Sequence, residues 1–101
     1  MPDAPVACRL SAAELRQREA TLLTQFKSAV TTTEELADGY IFRISGDKKW
    51  LAVVSDLILA ERECCPLLKF ELIAEPNLGP LTLRVTGPDG TKEFLKSIFL
   101  V

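Results

Sequence analysis

An α+β fold is what this chain predicts: two helix-and-hairpin units giving a four-stranded, mainly antiparallel sheet covered by helices on one face, plus a C-terminal helix. Three observations lead there. The apolar period switches back and forth between helical and alternating spacing along the 101 residues. Turn-forming stretches at Asp38-Gly39 and at Pro76 to Pro80 separate runs that alternate. The resulting order of helix, hairpin, helix, hairpin, helix is a loose repeat of roughly 40 residues, without convincing residue identity between the halves. A chain of 101 residues is large enough for one hydrophobic core and too small for two, so residues 1–101 read as a single domain.

The first helix is expected over about residues 12 to 29. Ser11 can cap it, Glu14 completes a capping box, and Leu10 can staple onto Leu15. Leu15, Leu22, Leu23, Phe26 and Val30 then continue at helical spacing. "VACRL" ahead of it could add a short edge strand. In "TTTEELADGYIFRIS" the period changes, with Tyr40, Phe42 and Ile44 alternating with Ile41, Arg43 and Ser45 about an Asp38-Gly39 tight turn. "GDKKWLAVVSDLILAERECC" is the second helix, opened by Gly46-Asp47 and closed by Pro66, which pushes Cys65 out of helical geometry. Trp50, Leu51, Val53, Val54, Leu57, Ile58 and Ala60 cover so much of its circumference that it should be the most buried helix. In the second hairpin Phe70, Leu72, Leu81, Leu83 and Val85 face inward, and Lys69, Glu71, Thr82, Arg84 and Thr86 outward. "TGPDG" opens the last helix, with Pro88 in its first turn, Asp89 near its positive end, and Phe94, Leu95 and Ile98 on one face.

Composition removes several classes of function. With 48% hydrophobic and 26% charged residues the chain is globular rather than disordered. A net charge of -2, with lysines and arginines scattered among acids, leaves no footprint for nucleic acid. The most apolar window, "WLAVVSDLILA", is about half a bilayer crossing and is broken by Ser55 and Asp56, so no membrane partner is expected. The first residues lack a basic leader, which makes a cytoplasmic location the expectation. Three cysteines, two of them adjacent, make no disulfide framework and suit a reducing compartment. Histidine is absent altogether, which removes the commonest general base and the commonest zinc and iron ligand.

The chemistry that remains sits in "ERECCPLLKFEL". Thiolates without histidine suit soft ions, so Cys64 and Cys65, with Cys8 as a third thiol far off in sequence, are candidate ligands for zinc, copper(I), mercury or arsenite. Adjacent thiols can chelate one ion only if the chain bends between them, and Pro66 supplies the bend. Against reactivity, the pair stands at the negative end of a helix, where the dipole disfavours a thiolate unless Arg62 and Lys69 offset it. The competing reading is that the cysteines pack as small hydrophobes, and the chain is an interaction module or homodimer using an open sheet face. Thiol redox chemistry ranks lower, and a disulfide between neighbours would strain the peptide joining them. Catalysis ranks below binding because no histidine can assist. Glu61 and Glu63 are two apart on a helix and point to different sides, so they do not form a carboxylate pair, and Glu61 falls at the edge of the buried face. "TGPDG" lacks the lysine and spacing of a phosphate loop and reads as a turn and cap.

Together, "ERECCPLLKFEL" and "LGPLTLRVTGPDGTKEFL" resemble a group of short bacterial proteins that share Glu-Arg-x-Cys-Cys-Pro and a later Gly-Pro…Thr-Gly-Pro-x-Gly…Glu-Phe-Leu segment. The likeness covers mainly residues 61 to 96, more weakly "DGYIFRISGDKKWL", and an aromatic residue stands in that pattern where this chain has Leu67. It implies a standalone bacterial domain, hints at heavy-metal resistance neighbourhoods, and supplies no activity.

Overall fold

Alternation along "GYIFRI" and "LTLRVT" sends Tyr40, Phe42 and Ile44, and Leu81, Leu83 and Val85, to one side of a sheet, where all six are buried. In the computed structural model the described residues are 13–99, with only the backbone described at 13–16, 18, 19 and 64. The elements run α1 (Ala13–Ala29), β1 (Val30–Glu35), β2 (Gly39–Ile44), α2 (Lys48–Cys64), β3 (Lys69–Ala74), β4 (Leu81–Thr86) and α3 (Thr91–Phe99). The four strands form one antiparallel sheet in the order β1-β2-β4-β3, so the α+β class with a C-terminal helix holds. The capping box at Ser11 and Glu14 and the strand expected at "VACRL" lie outside the described residues or side chains.

Register explains the division of faces. Phe42 pairs with Leu83, Leu83 with Leu72, and Tyr40 with Val85, so the apolar side chains form continuous rows under the helices. The Phe42 ring meets Phe26 of α1 edge-on at 5.4 Å and lies 5.3 Å from the ring of Phe99 in α3. Phe26 and Phe99 also meet edge-on at 5.3 Å, which closes a three-ring cluster joining two helices to the sheet. Arg43, Lys69 and Arg84 on the opposite face are exposed, and Arg43 and Arg84 reach Glu34 and Glu71 at 3.7 and 3.4 Å.

Several details depart from the sequence reading. Gly39 is the first residue of β2 rather than a turn residue, and its φ is not positive. Its role is close approach, since a Cβ there would stand 1.8 Å from the Val85 carbonyl oxygen of β4. Asp47 precedes α2 but makes no side-chain capping bond. That helix is not buried all round, because Leu51 and Leu59 are 38% and 61% exposed while Val54, Leu57 and Glu61 face the core. The last helix begins at Thr91, beyond Pro88 and Asp89, which form the preceding turn through the Thr91 N–H to the Pro88 carbonyl at 3.0 Å. Its buried stripe is Thr91, Leu95 and Phe99, with Phe94 and Ile98 only half-buried beside it.

Candidate functional site

Leu57, Glu61 and Cys65 are spaced by four, so one side of α2 carries the first two inward and its C-cap residue Cys65 follows them, at 1%, 0% and 1% exposure. The helix ends where the residue before Pro66 cannot stay helical: Cys65 has φ -130° and ψ 72°. Its N–H still donates to the Glu61 carbonyl at 2.6 Å, and the Leu68 N–H donates to the Cys65 carbonyl at 3.2 Å. Those two bonds wind residues 65–68 into a tight turn that returns buried Leu68 to the core before β3 starts. Glu61 lies deeper than its expected place at the edge of the apolar face. A carboxyl without exposed surface is rare in so small a domain, because removing it from water is costly. The signal was present in the spacing, since Glu61 falls midway between two inward residues.

A second segment closes over this turn. Pairing of Lys69 with Thr86 and Phe70 with Val85 brings the end of β4 alongside the start of β3. The chain then passes through Gly87, whose N–H donates to the Asp38 carbonyl at 3.1 Å. A Cβ added at Gly87 would lie 2.4 Å from Thr91 Oγ1, 3.3 Å from the Leu67 carbonyl oxygen and 3.4 Å from Leu68 Cδ2. The Cys65–Leu68 turn and the first residue of α3 therefore meet over a spot only glycine can occupy. Thr91 is 1% exposed, and its Oγ1 has no hydrogen-bond partner among the described residues. Sequence reasoning did not single it out, because no local spacing marks Thr91 as buried.

Of the expected ligands, Cys65 is buried in this corner. Cys64 is the last residue of α2 with its side chain outside the description, and Cys8 lies outside the described residues. Among the described residues no group of three or more histidine, cysteine, aspartate or glutamate side chains is placed to hold a metal ion. Of the described side chains that could ligate, Cys65 and Glu61 are the two buried here. Arg62, Glu63 and Lys69 are exposed, so Glu63 does not join Glu61 and neither cation is buried with the thiol.

The surface hollow at the start of α3, about 290 Å³ and lined by Ala37, Asp38 and residues 87–93, offers no anion site. Asp38, Asp89 and Glu93 outnumber Lys92 there, and they oppose what the helix N-terminus would attract. No helix among the described residues is long and apolar enough to cross a membrane. Set against protein-family models, curated proteins and solved structures, the chain matches none.

Proposed function

We propose that the chain is a bacterial, cytoplasmic binding module for a soft metal ion or metalloid, zinc, copper(I), mercury or arsenite, held by Cys64 and Cys65 with Cys8 as a third thiolate. The observation that carries this reading is the burial of Glu61 one turn before buried Cys65. A buried cysteine alone is explained as a small hydrophobe, but a carboxyl set beside it on the same helix side adds a second ligating group to this corner. Buried titratable groups gathered at one chain bend are where ligand chemistry concentrates. Absence of histidine favours binding over catalysis, and thiolate-rich coordination favours soft ions.

The test is a thiol titration of native protein with and without Zn(II), Hg(II) and arsenite, read by intact mass. Stoichiometric uptake that protects the thiols and is lost in Cys64→Ser or Cys65→Ser is the expected result. Uptake unchanged in both variants, or no uptake of any of the three, would sink the reading.

A second reading, a homodimerising interaction module, is favoured by one observation. Leu51, Ala52, Ser55 and Leu59 form an exposed stripe along α2. Leu51 and Leu59 lie equally far on either side of Ser55, so two antiparallel copies of this helix would match leucine to leucine about a two-fold axis.

A further inference from the structure

We infer that β3 is the edge on which a second copy of this chain docks, its own β3 pairing antiparallel about Leu72 so that two four-stranded sheets become one; this rests on the homodimer reading and not on the thiol site. Among the described residues β1 and β3 are the two edges of the sheet, and they are not alike. β1 is blunted against pairing: its register shifts between Val30 and Thr32, its end carries Glu34 and Glu35, and Lys92 closes on it from α3. β3 pairs with β4 over all six residues without a shift and holds no proline. Its inward row is also unfinished. Val85 and Leu83 are fully buried, but Phe70 and Leu72 beside them are only half-buried, and Ile73 on the other face is 52% exposed. An apolar edge left open in this way is a template for another strand.

Symmetry and charge choose the occupant and its register. A two-fold axis relating two antiparallel strands sets inward residues opposite inward ones, so it passes level with a residue rather than between two. Centred on Glu71 it would bring the two Glu71 carboxylates face to face, and centred on Ile73 it would set Glu71 against Glu75 of the other copy. Centred on Leu72 it sets Leu72 against Leu72, Phe70 against Ala74, Glu71 against Ile73, and Lys69 against Glu75, an opposite-charge pair formed twice. The helices agree with this axis. α3 packs on β2 and reaches β1 through Lys92, and α1 packs on both α3 and α2, so α2 is the helix toward the β3 edge. Ser55 is nine residues from the end of α2, about 14 Å at the helical rise, and Leu72 is three residues into β3, about 10 Å at the strand rise, on either side of the Cys65–Leu68 turn. The centres of the strand pair and of the exposed α2 stripe are thus nearly level, and one axis serves both contacts.

The experiment is sedimentation equilibrium of the full chain under reducing conditions, for wild type, Lys69→Glu, Glu75→Lys, the double variant carrying both changes, and Leu59→Lys. Wild type is expected to associate toward twice the chain mass. Each single variant should raise the dimer dissociation constant about 10-fold, because it sets like charges opposite one another twice, and the double variant should recover wild-type affinity. Lys69 and Glu75 are both exposed, so the changes leave the fold intact. Recovery in the double variant is a result that a general loss of stability cannot produce. Association unchanged in both single variants but lost in Leu59→Lys would overturn the strand pairing and leave the homodimer reading on α2 alone. Equal weakening in the single variants and the double would also overturn it. A wild type that is monomeric at every concentration overturns both and leaves the β3 edge to a different strand.

Discussion

Leu78 has a φ of 56° and is 87% exposed, directly after Asn77 at 61° in the turn between β3 and β4. Two successive left-handed residues suit a tight hairpin of this twist, and asparagine tolerates the conformation. Leucine does not, because its Cβ crowds the following carbonyl and its exposed side chain recovers nothing by burial. Replacing Leu78 with glycine is therefore expected to stabilise the protein by about 0.5–1 kcal/mol, the relief of strain exceeding the entropy added to the unfolded chain. A higher urea midpoint at unchanged slope would bear this out, and a lower midpoint would refute it. "PNLGP" was legible as a turn, yet which residue takes the strained conformation was not. Glycines behaved likewise: Gly39 was read as a turn residue, and it is needed because β4 crosses it at contact distance. Close approach between distant segments leaves no local mark. Glu61 was nearly legible from its spacing; Thr91 was not, because its burial depends on a turn 24 residues earlier meeting Gly87.

At the scale of elements, an ion pair from Lys92 of α3 to Glu35 ties the far end of edge strand β1 to that helix. The hydrogen bond from Lys92, and then its charge, keep the Glu35 carboxyl below the usual carboxylate range, and the same bond raises Lys92 above the usual lysine value. For Glu35 the folded state releases its proton more readily than the unfolded chain. Its contribution is thus complete above the ordinary carboxylate value of about 4.3 and is lost as pH falls through the depressed one. For Lys92 the contribution is complete below about 10.4 and is lost as pH rises through the raised value. Wild type should therefore lose more stability than Glu35→Gln between neutral pH and pH 3, with the gap closing in high salt because both groups are solvated. Parallel stability curves for the two proteins would show that the pair holds nothing. None of this was visible in sequence, where Glu35 and Lys92 are far apart and their strand and helix are not joined by any local pattern.

The whole molecule was legible in its order of elements and in the inward residues of β2 and β4, because alternation is local. The strand order was not, since it depends on how two hairpins meet across α2. The largest misjudgement concerns α2 itself. Its apolar residues cover more of its circumference than the sheet and α1 bury, so the surplus at Leu51 and Leu59 is left outside. Small residues lie between them, Ala52 and Ser55, which lets a second helix come close. Antiparallel pairing about Ser55 sets Lys48 of one copy level with Arg62 of the other and Asp47 level with Glu63, like charges that weaken the two-fold match. Such a contact is narrow, below the ~1,200 Å² of a stable interface, so the dimer it makes is weak and concentration-dependent. Sedimentation equilibrium of wild type should then show mass rising with concentration, and Leu59→Lys should stay monomeric, because the two-fold axis sets each introduced lysine in the other copy's apolar stripe. Leu59→Lys should fold as wild type does, the side chain being exposed in the monomer. A wild type that stays monomeric throughout, or a variant that associates equally well, removes this stripe from consideration, while metal uptake in the Cys64→Ser and Cys65→Ser variants decides the thiol site independently.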